Sequence, residues 1–132
     1  MWPRVDGMRA LELGSPGEMR ARLNALVLAG TKRATAGLRS EYDDESEAVE
    51  HVGELLVLVD DDGARVGVVE VTEVTHCRFG DVTWEFAQAE GEGHTDLDHW
   101  RRGHIRFWGS EGQDVVDDTA VVCLRFALVE QG

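Results

Sequence analysis

Residues 53–75 read GELLVLVDDDGARVGVVEVTEVT, and this stretch decides the fold. Two β-rich runs, Gly53 to Val59 and Arg65 to Thr75, flank Asp60-Asp61-Asp62-Gly63, whose Asp-Gly step is a tight-turn signal, so the pattern predicts a β-hairpin. In the second run Val66, Val68, Glu70, Thr72 and Val74 share one face, while Gly67, Val69, Val71 and Glu73 share the other. Each face carries one glutamate, and alternation leaves open whether Glu70 or Glu73 looks inward. Further along, Thr119 to Val129 is apolar and β-rich and predicts a buried strand containing Cys123.

Helices are legible on either side of the hairpin. Ser15-Pro16-Gly17-Glu18 offers an N-cap serine, a proline at the first helical position and a capping-box glutamate, which predicts a start near residue 16. Met19, Leu23, Leu26 and Val27 then lie on one face, and Gly30 supplies the left-handed residue after the last turn. Asp81 is expected to cap a short helix with Val82, Phe86 and Ala89 on its inner face, ending at Glu90. A third helix is expected from Thr95 to Trp108, with Leu97, Trp100, His104 and Phe107 or Trp108 as an aromatic core stripe. Strands with three interspersed helices and no regular strand-helix-strand rhythm predict an α+β fold. Its expected form is a small mixed β-barrel with about three flanking helices, in one domain over residues 1–132.

Thirteen basic against 26 acidic residues leave a net charge of -13, which argues against charge-driven binding to a long polyanion. A short or single nucleotide remains compatible, provided it meets a locally basic site. Much of the acidity sits in EYDDESEAVE, Glu41 to Glu50, which has no apolar period and predicts a solvated surface loop. Cys77 and Cys123 lack metal-ribbon or redox-pair spacing and are expected to be buried free thiols. No window has the length and apolarity of a signal peptide or a membrane span, so a reducing, cytoplasmic setting without membrane contact is expected.

Gly30-Thr31-Lys32-Arg33-Ala34-Thr35 places an amine and a hydroxyl three residues apart just beyond a helix. Such a pair suits a nucleophile with its own activating amine, although Lys32 would equally complement the helix dipole and Thr35 is a good strand former. Glu90 stands at the wrong pole of its helix, where a carboxylate opposes the macrodipole, so propensity does not account for it. Arg101 and His104, one turn apart, are expected to point together at an anion or a carbonyl. Trp84 and Trp100 are the candidate aromatic faces for a base, though each also reads as core. His94, Asp96, Asp98 and His99 match no tight ligand spacing, and neither a metal nor a cofactor is expected.

In order along the chain, LELGSPGEMRARLNALVLAGTKRAT, VGELLVLVDDDGARVGVVEVTEV and FAQAEGEGHTDLDHWRRGHIRFW resemble the bacterial ASCH-domain proteins. That resemblance implies a β-barrel fold related to the PUA RNA-binding domains. Some members remove the acetyl group from N4-acetylcytidine with a lysine and a threonine of a GxKxxT motif and a glutamate near the end of the following helix. Carried onto this chain, these are Lys32, Thr35 and Glu90. Other members bind or cleave RNA. The chain departs from the short amidohydrolases in its longer N-terminus, the Glu41 to Glu50 insertion and the Trp100/His104/Trp108 helix.

The resemblance implies an amidohydrolase acting on a modified nucleoside or RNA. Thr35 would attack the acyl carbon, with Trp84, Trp100, Arg101 and His104 contacting the base. Two assignments stay open: Glu90 as acid or base beside a charged Lys32, or a neutral Lys32 as base beside a protonated Glu90. The competing class is a non-catalytic RNA or nucleotide binding module, or a ribonuclease, with Lys32, Arg33, Arg39, Arg101 and Arg102 as its basic contacts.

Overall fold

The computed structural model describes Met1–Gly132. At the centre of its fold the hairpin forms as the residues predict. Strands β4 (Leu55–Val59) and β5 (Arg65–Arg78) pair antiparallel, with Leu56 opposite Val69 and Val57 opposite Val68. Asp60 closes the turn by accepting from the backbone N–H of Asp62 and of Ala64, both at 2.9 Å. β5 then pairs along its length with β6 (Ala120–Gln131), interrupted by register shifts at Val68/Val69 and Val71/Glu73. These irregularities break strict alternation: Val69 and Val71 are fully buried, Glu70 is half-buried and Glu73 is exposed.

The architecture is α+β. Strands β1 (Arg4–Val5), β2 (Met8–Leu11) and β3 (Ala34–Leu38) complete one mixed six-stranded sheet in the order β1-β2-β4-β5-β6-β3, which stays open between its β1 and β3 edges. Four α-helices accompany it, one more than expected: α1 (Glu18–Leu28), α2 (Arg39–Asp44), α3 (Trp84–Ala89) and α4 (Leu97–Ser110). β6 is buried on both faces over Val121 to Leu124, the apolar half of the strand, and turns exposed toward its C-terminal end. Val122, Leu124 and Phe126 pack with Leu23 and Val27 of α1, whereas Val121 and Cys123 pack with Phe86 of α3 and with Trp100 and Trp108 of α4. Each large side chain buried this way contributes roughly 1.5–3 kcal/mol.

Helix starts differ from expectation. α1 begins at Glu18, not at residue 16; Gly17, at φ 101°, precedes it and donates its N–H to Asp61 of the hairpin turn at 2.8 Å. A tertiary contact thus replaces the serine cap. The cap of α3 is Thr83, which accepts from Phe86 N–H, because Asp81 is held by Arg78 at 2.9 Å. Asp96 caps α4, which starts two residues after Thr95.

The acidic segment is the largest departure. Instead of a solvated loop, residues 39–44 form α2, and Tyr42, Glu47 and Glu50 are buried. Tyr42 donates to Glu50 at 2.7 Å, Arg4 grips both Glu47 oxygens at 2.9 Å, and buried Arg9 lies 3.5 Å from Glu50 and 3.6 Å from Glu54. Carboxylates enter a protein interior only with partners, and here the partners come from β1 and β2 at the far end of the chain. The guanidinium of Arg4 holds Glu47 well below the usual carboxylate range.

Candidate functional site

The loop after α1 is pinned by its backbone. Gly30 takes φ 80°, Lys32 N–H returns to Leu26 O at 3.1 Å, and Arg33 N–H donates to Ala89 O at 2.9 Å. The last bond ties the loop to the end of α3. It thereby brings Lys32 against Glu90, the residue that caps that helix.

Both side chains are almost completely enclosed, Lys32 at 2 % exposure and Glu90 at 1 %. Lys32 Nζ donates to Ala34 O at 2.7 Å and to Glu92 at 2.6 Å, and stands 3.5 Å from Glu90 Oε2. Lys32 thus has two carboxylate partners inside one enclosed cluster. The other oxygen, Glu90 Oε1, accepts from Trp100 Nε1 and lies 3.0 Å from His104 Nε2. Burial pushes the Glu90 carboxyl up, but Lys32, His104 and Trp100 outweigh it and hold the group well below its ordinary value.

A cleft of about 170 Å³ opens over this cluster. Lys32, Thr35, Glu90, Glu92, His94 and His104 supply its polar lining, and Leu13, Met19 and Phe107 part of its apolar wall. Thr35 reaches it from β3, where it pairs with Leu124 of β6. An adjoining groove of about 290 Å³ shares Thr35, Ala36 and Trp108, so Thr35 lies where the two spaces meet.

The cleft therefore gathers Lys32, Thr35, Glu90 and His104. The remaining sequence candidates stand elsewhere. Trp100 is wholly buried and stacked on His104 at 4.0 Å, so it presents no face to a base. Trp84 packs against the α3/α4 core outside the cleft. Arg101 donates to Gly80 O at 2.8 Å and diverges from His104 instead of sharing an anion with it. Arg33 is exposed, and only its backbone serves the site. Neither Glu70 nor Glu73 lines the cleft.

Glu92 and Arg22 line it without having been singled out by sequence, and so does His94, which the sequence raised only as a metal-ligand candidate. Glu92 had a signal: it lies between Gly91 and Gly93, both at positive φ, which form a short turn that swings a carboxylate back over Lys32. Cys77 and Cys123 are free, but only Cys123 is buried; Cys77 is half-buried.

The ASCH domain family model matches residues 9–130. The chain belongs to the ASCH domain family. An ASCH domain from Lactobacillus crispatus JV V101 is 29% identical, with a TM-score of 0.81 over 92% of this chain and 79% of that one. A protein from Enterococcus faecalis V583 is also 29% identical, with a TM-score of 0.80 over 91% of this chain and 75% of that one. An ASCH protein from Zymomonas mobilis, solved as a point mutant, shares the fold alone, at 7% identity and a TM-score of 0.54 over 81% of this chain and 63% of that one. No curated protein matches the chain. No helix of this ASCH domain is long and apolar enough to cross a membrane.

Gly91 is the steric key to the site. At φ 65° a Cβ there would stand 2.2 Å from Thr31 O and 2.7 Å from its carbonyl carbon. Gly91→Ala is expected to lower stability by more than about 2 kcal/mol and to part the Lys32 loop from α3. A urea titration checks the first effect, and reduced ligand binding or turnover the second.

The ionisable groups give this ASCH domain a defined pH window. His104 is raised above its ordinary 6.5 because, although burial lowers it, the hydrogen bond and charge of Glu90 raise it more. Its contribution to stability is complete below pH 6.5 and is lost as pH climbs through the raised value. Glu90, depressed from 4.5 to about 2, contributes fully above pH 4.5 and loses that contribution as pH falls toward 2. Both are therefore in force between pH 4.5 and 6.5. Thermal melts from pH 4 to 9 should show a decline above pH 6.5 that is absent in Glu90→Gln.

Proposed function

We propose that this ASCH domain is an amidohydrolase that removes the acetyl group from N4-acetylcytidine-type substrates. The observation that carries the reading is the enclosed Lys32–Glu90 ion pair, at 3.5 Å, in the cleft that Thr35 also lines. Acyl transfer from an amide needs a nucleophile, a group that moves a proton and a stabiliser of the oxyanion. Thr35 Oγ1 is the nucleophile. Lys32, an ammonium flanked by Glu90 and Glu92, stabilises the oxyanion, which favours the assignment in which Glu90 handles the proton.

Cleft size bears on the substrate. A space of about 170 Å³ lies below the roughly 300–1,000 Å³ of drug-sized pockets and suits one modified base better than a strand. The net charge of -13 points the same way, because a polyanion gains nothing from this protein's field. ASCH domains are associated with RNA or nucleotide binding, which agrees with a nucleoside ligand. With Trp84, Trp100 and Arg101 outside the cleft lining, contact with the base falls to Arg22, His94 and Phe107.

The test is release of acetate from N4-acetylcytidine by the purified protein, followed by chromatographic separation of cytidine. Appearance of cytidine in proportion to enzyme supports the reading. No release from any N-acylated cytosine, together with salt-sensitive retention of RNA, would replace it with a binding module.

A further inference from the structure

The tautomer of His104 is settled by its surroundings. Nδ1 lies 2.9 Å from the backbone oxygen of Trp100, one turn earlier in α4. A carbonyl oxygen only accepts, so Nδ1 carries a hydrogen. The other nitrogen, Nε2, lies 3.0 Å from Glu90 Oε1. With Nδ1 protonated, that contact is a hydrogen bond only if one further proton lies between nitrogen and oxygen; otherwise two lone pairs face each other. The pair thus has two states, one holding a proton and one without it.

We propose that the base of this site is the Glu90–His104 pair acting as one titrating unit, in place of Glu90 or Lys32 acting alone. The inference rests on the amidohydrolase reading above and deepens it. Glu90 by itself is a poor base, since Lys32, Trp100 and His104 all stabilise its carboxylate. Coupled to His104 it accepts a proton at the value of the pair. The surrounding charges are Lys32 from the loop after α1, Glu92 and His94 from the loop between α3 and α4, and His99 of α4, with Arg22 of α1 lining the cleft. His104 is raised and Glu90 lowered, as expected of a pair whose proton rests on the imidazole.

The chemistry balances within these groups. Thr35 Oγ bonds to the acyl carbon, the carbonyl π pair moves onto its oxygen beside the Lys32 ammonium, and the threonine proton enters the vacant pair. As the C=O bond reforms, the C–N bond breaks, and the departing nitrogen takes that proton to leave as the neutral amine of cytosine. Water then repeats the sequence on the acyl-threonine: its oxygen bonds to the acyl carbon and one of its protons enters the pair, the C–Oγ bond breaks as the pair returns that proton to Thr35 Oγ, and acetic acid departs, losing its remaining proton to solvent as acetate. The pair must therefore be empty when each addition begins, so kcat/KM rises with pH as the pair deprotonates.

Two measurements test this. In wild-type protein, ¹⁵N NMR should show His104 titrating with a midpoint above 6.5, Nδ1 remaining protonated throughout and only Nε2 losing its proton. Glu90→Gln should bring that midpoint below 6.5. A His104 that is neutral from pH 5 to 9, or that titrates at Nδ1, overturns the pair whatever the activity. In kinetics, the ascending limb of kcat/KM should share the NMR midpoint. His104→Gln should remove the limb from the range pH 5 to 8 and lower the rate at pH 8 by roughly 100-fold. A limb unchanged in His104→Gln reduces His104 to a structural role and overturns the proposal. Absence of acetate release at every pH overturns the amidohydrolase reading instead, and the NMR titration still decides whether the pair holds the proton.

Discussion

Thr35→Ala is expected to lower acetate release from N4-acetylcytidine by roughly 10⁴-fold or more, with the fold intact. Thr35 carries the only side-chain hydroxyl among the residues lining the cleft; the remaining polar groups there are carboxylates already paired with cations, the cations themselves, imidazoles and the Trp108 indole. The same substitution is mild for the fold. Thr35 is half-buried on β3, its backbone pairing with Leu124 is independent of the side chain, and its Oγ1 holds up no neighbouring group. Unfolding should shift by less than about 1 kcal/mol. Thr35→Ser keeps the oxygen and is expected to retain substantial turnover. Acetate release measured under saturating substrate, beside a urea curve for each variant, separates the two effects. Turnover in Thr35→Ala within tenfold of wild type would remove Thr35 from the nucleophile's role.

Lys32→Met should have the largest effect on stability. Methionine has nearly the length of lysine and no charge, so the packing volume survives while Glu90 and Glu92 lose their cation. Removing one partner of a buried ion pair costs about 3–5 kcal/mol, since the remaining charge is left without water or a counter-ion. The loss should shrink as pH falls. Without Lys32 nothing offsets burial as strongly, so the folded state takes up protons at the carboxylates sooner than the wild type does. Urea titrations at pH 7 and pH 5 check this, with the smaller difference from wild type expected at pH 5. Adding Glu92→Gln should restore part of the stability at pH 7, because the two positions are in contact and couple. An equal loss at both pH values would show that Lys32 acts through packing and not through charge.

The readings that succeeded and those that failed differ in the range of the interactions behind them. The hairpin, the buried strand β6 and the aromatic face of α4 follow from local periodicity, which the chain carries within ten or so residues. Caps were less legible. Ser15 has the right chemistry for a helix start, yet Asp61, more than forty residues on, captures Gly17 and sets the start instead. The acidic segment failed for the same reason: a run of carboxylates looks solvated until Arg4 and Arg9 are placed beside it.

At the site, the ordered motifs nominated Lys32, Thr35 and Glu90, and folding brings all three to one cleft. Residue order offers no means of seeing that Glu92 shares Lys32, that Trp100 is turned wholly inward to grip Glu90, or that His104 completes the contact. Residue type and spacing, which act locally, sufficed for the α+β class and the main strands, while the family resemblance, not spacing, nominated the lysine, threonine and glutamate. The tertiary structure alone decided their charges and partners. A buried group's protonation depends on which other groups share its low-dielectric surroundings, and those come from α1, β3, α3 and α4, which are remote from one another along the chain.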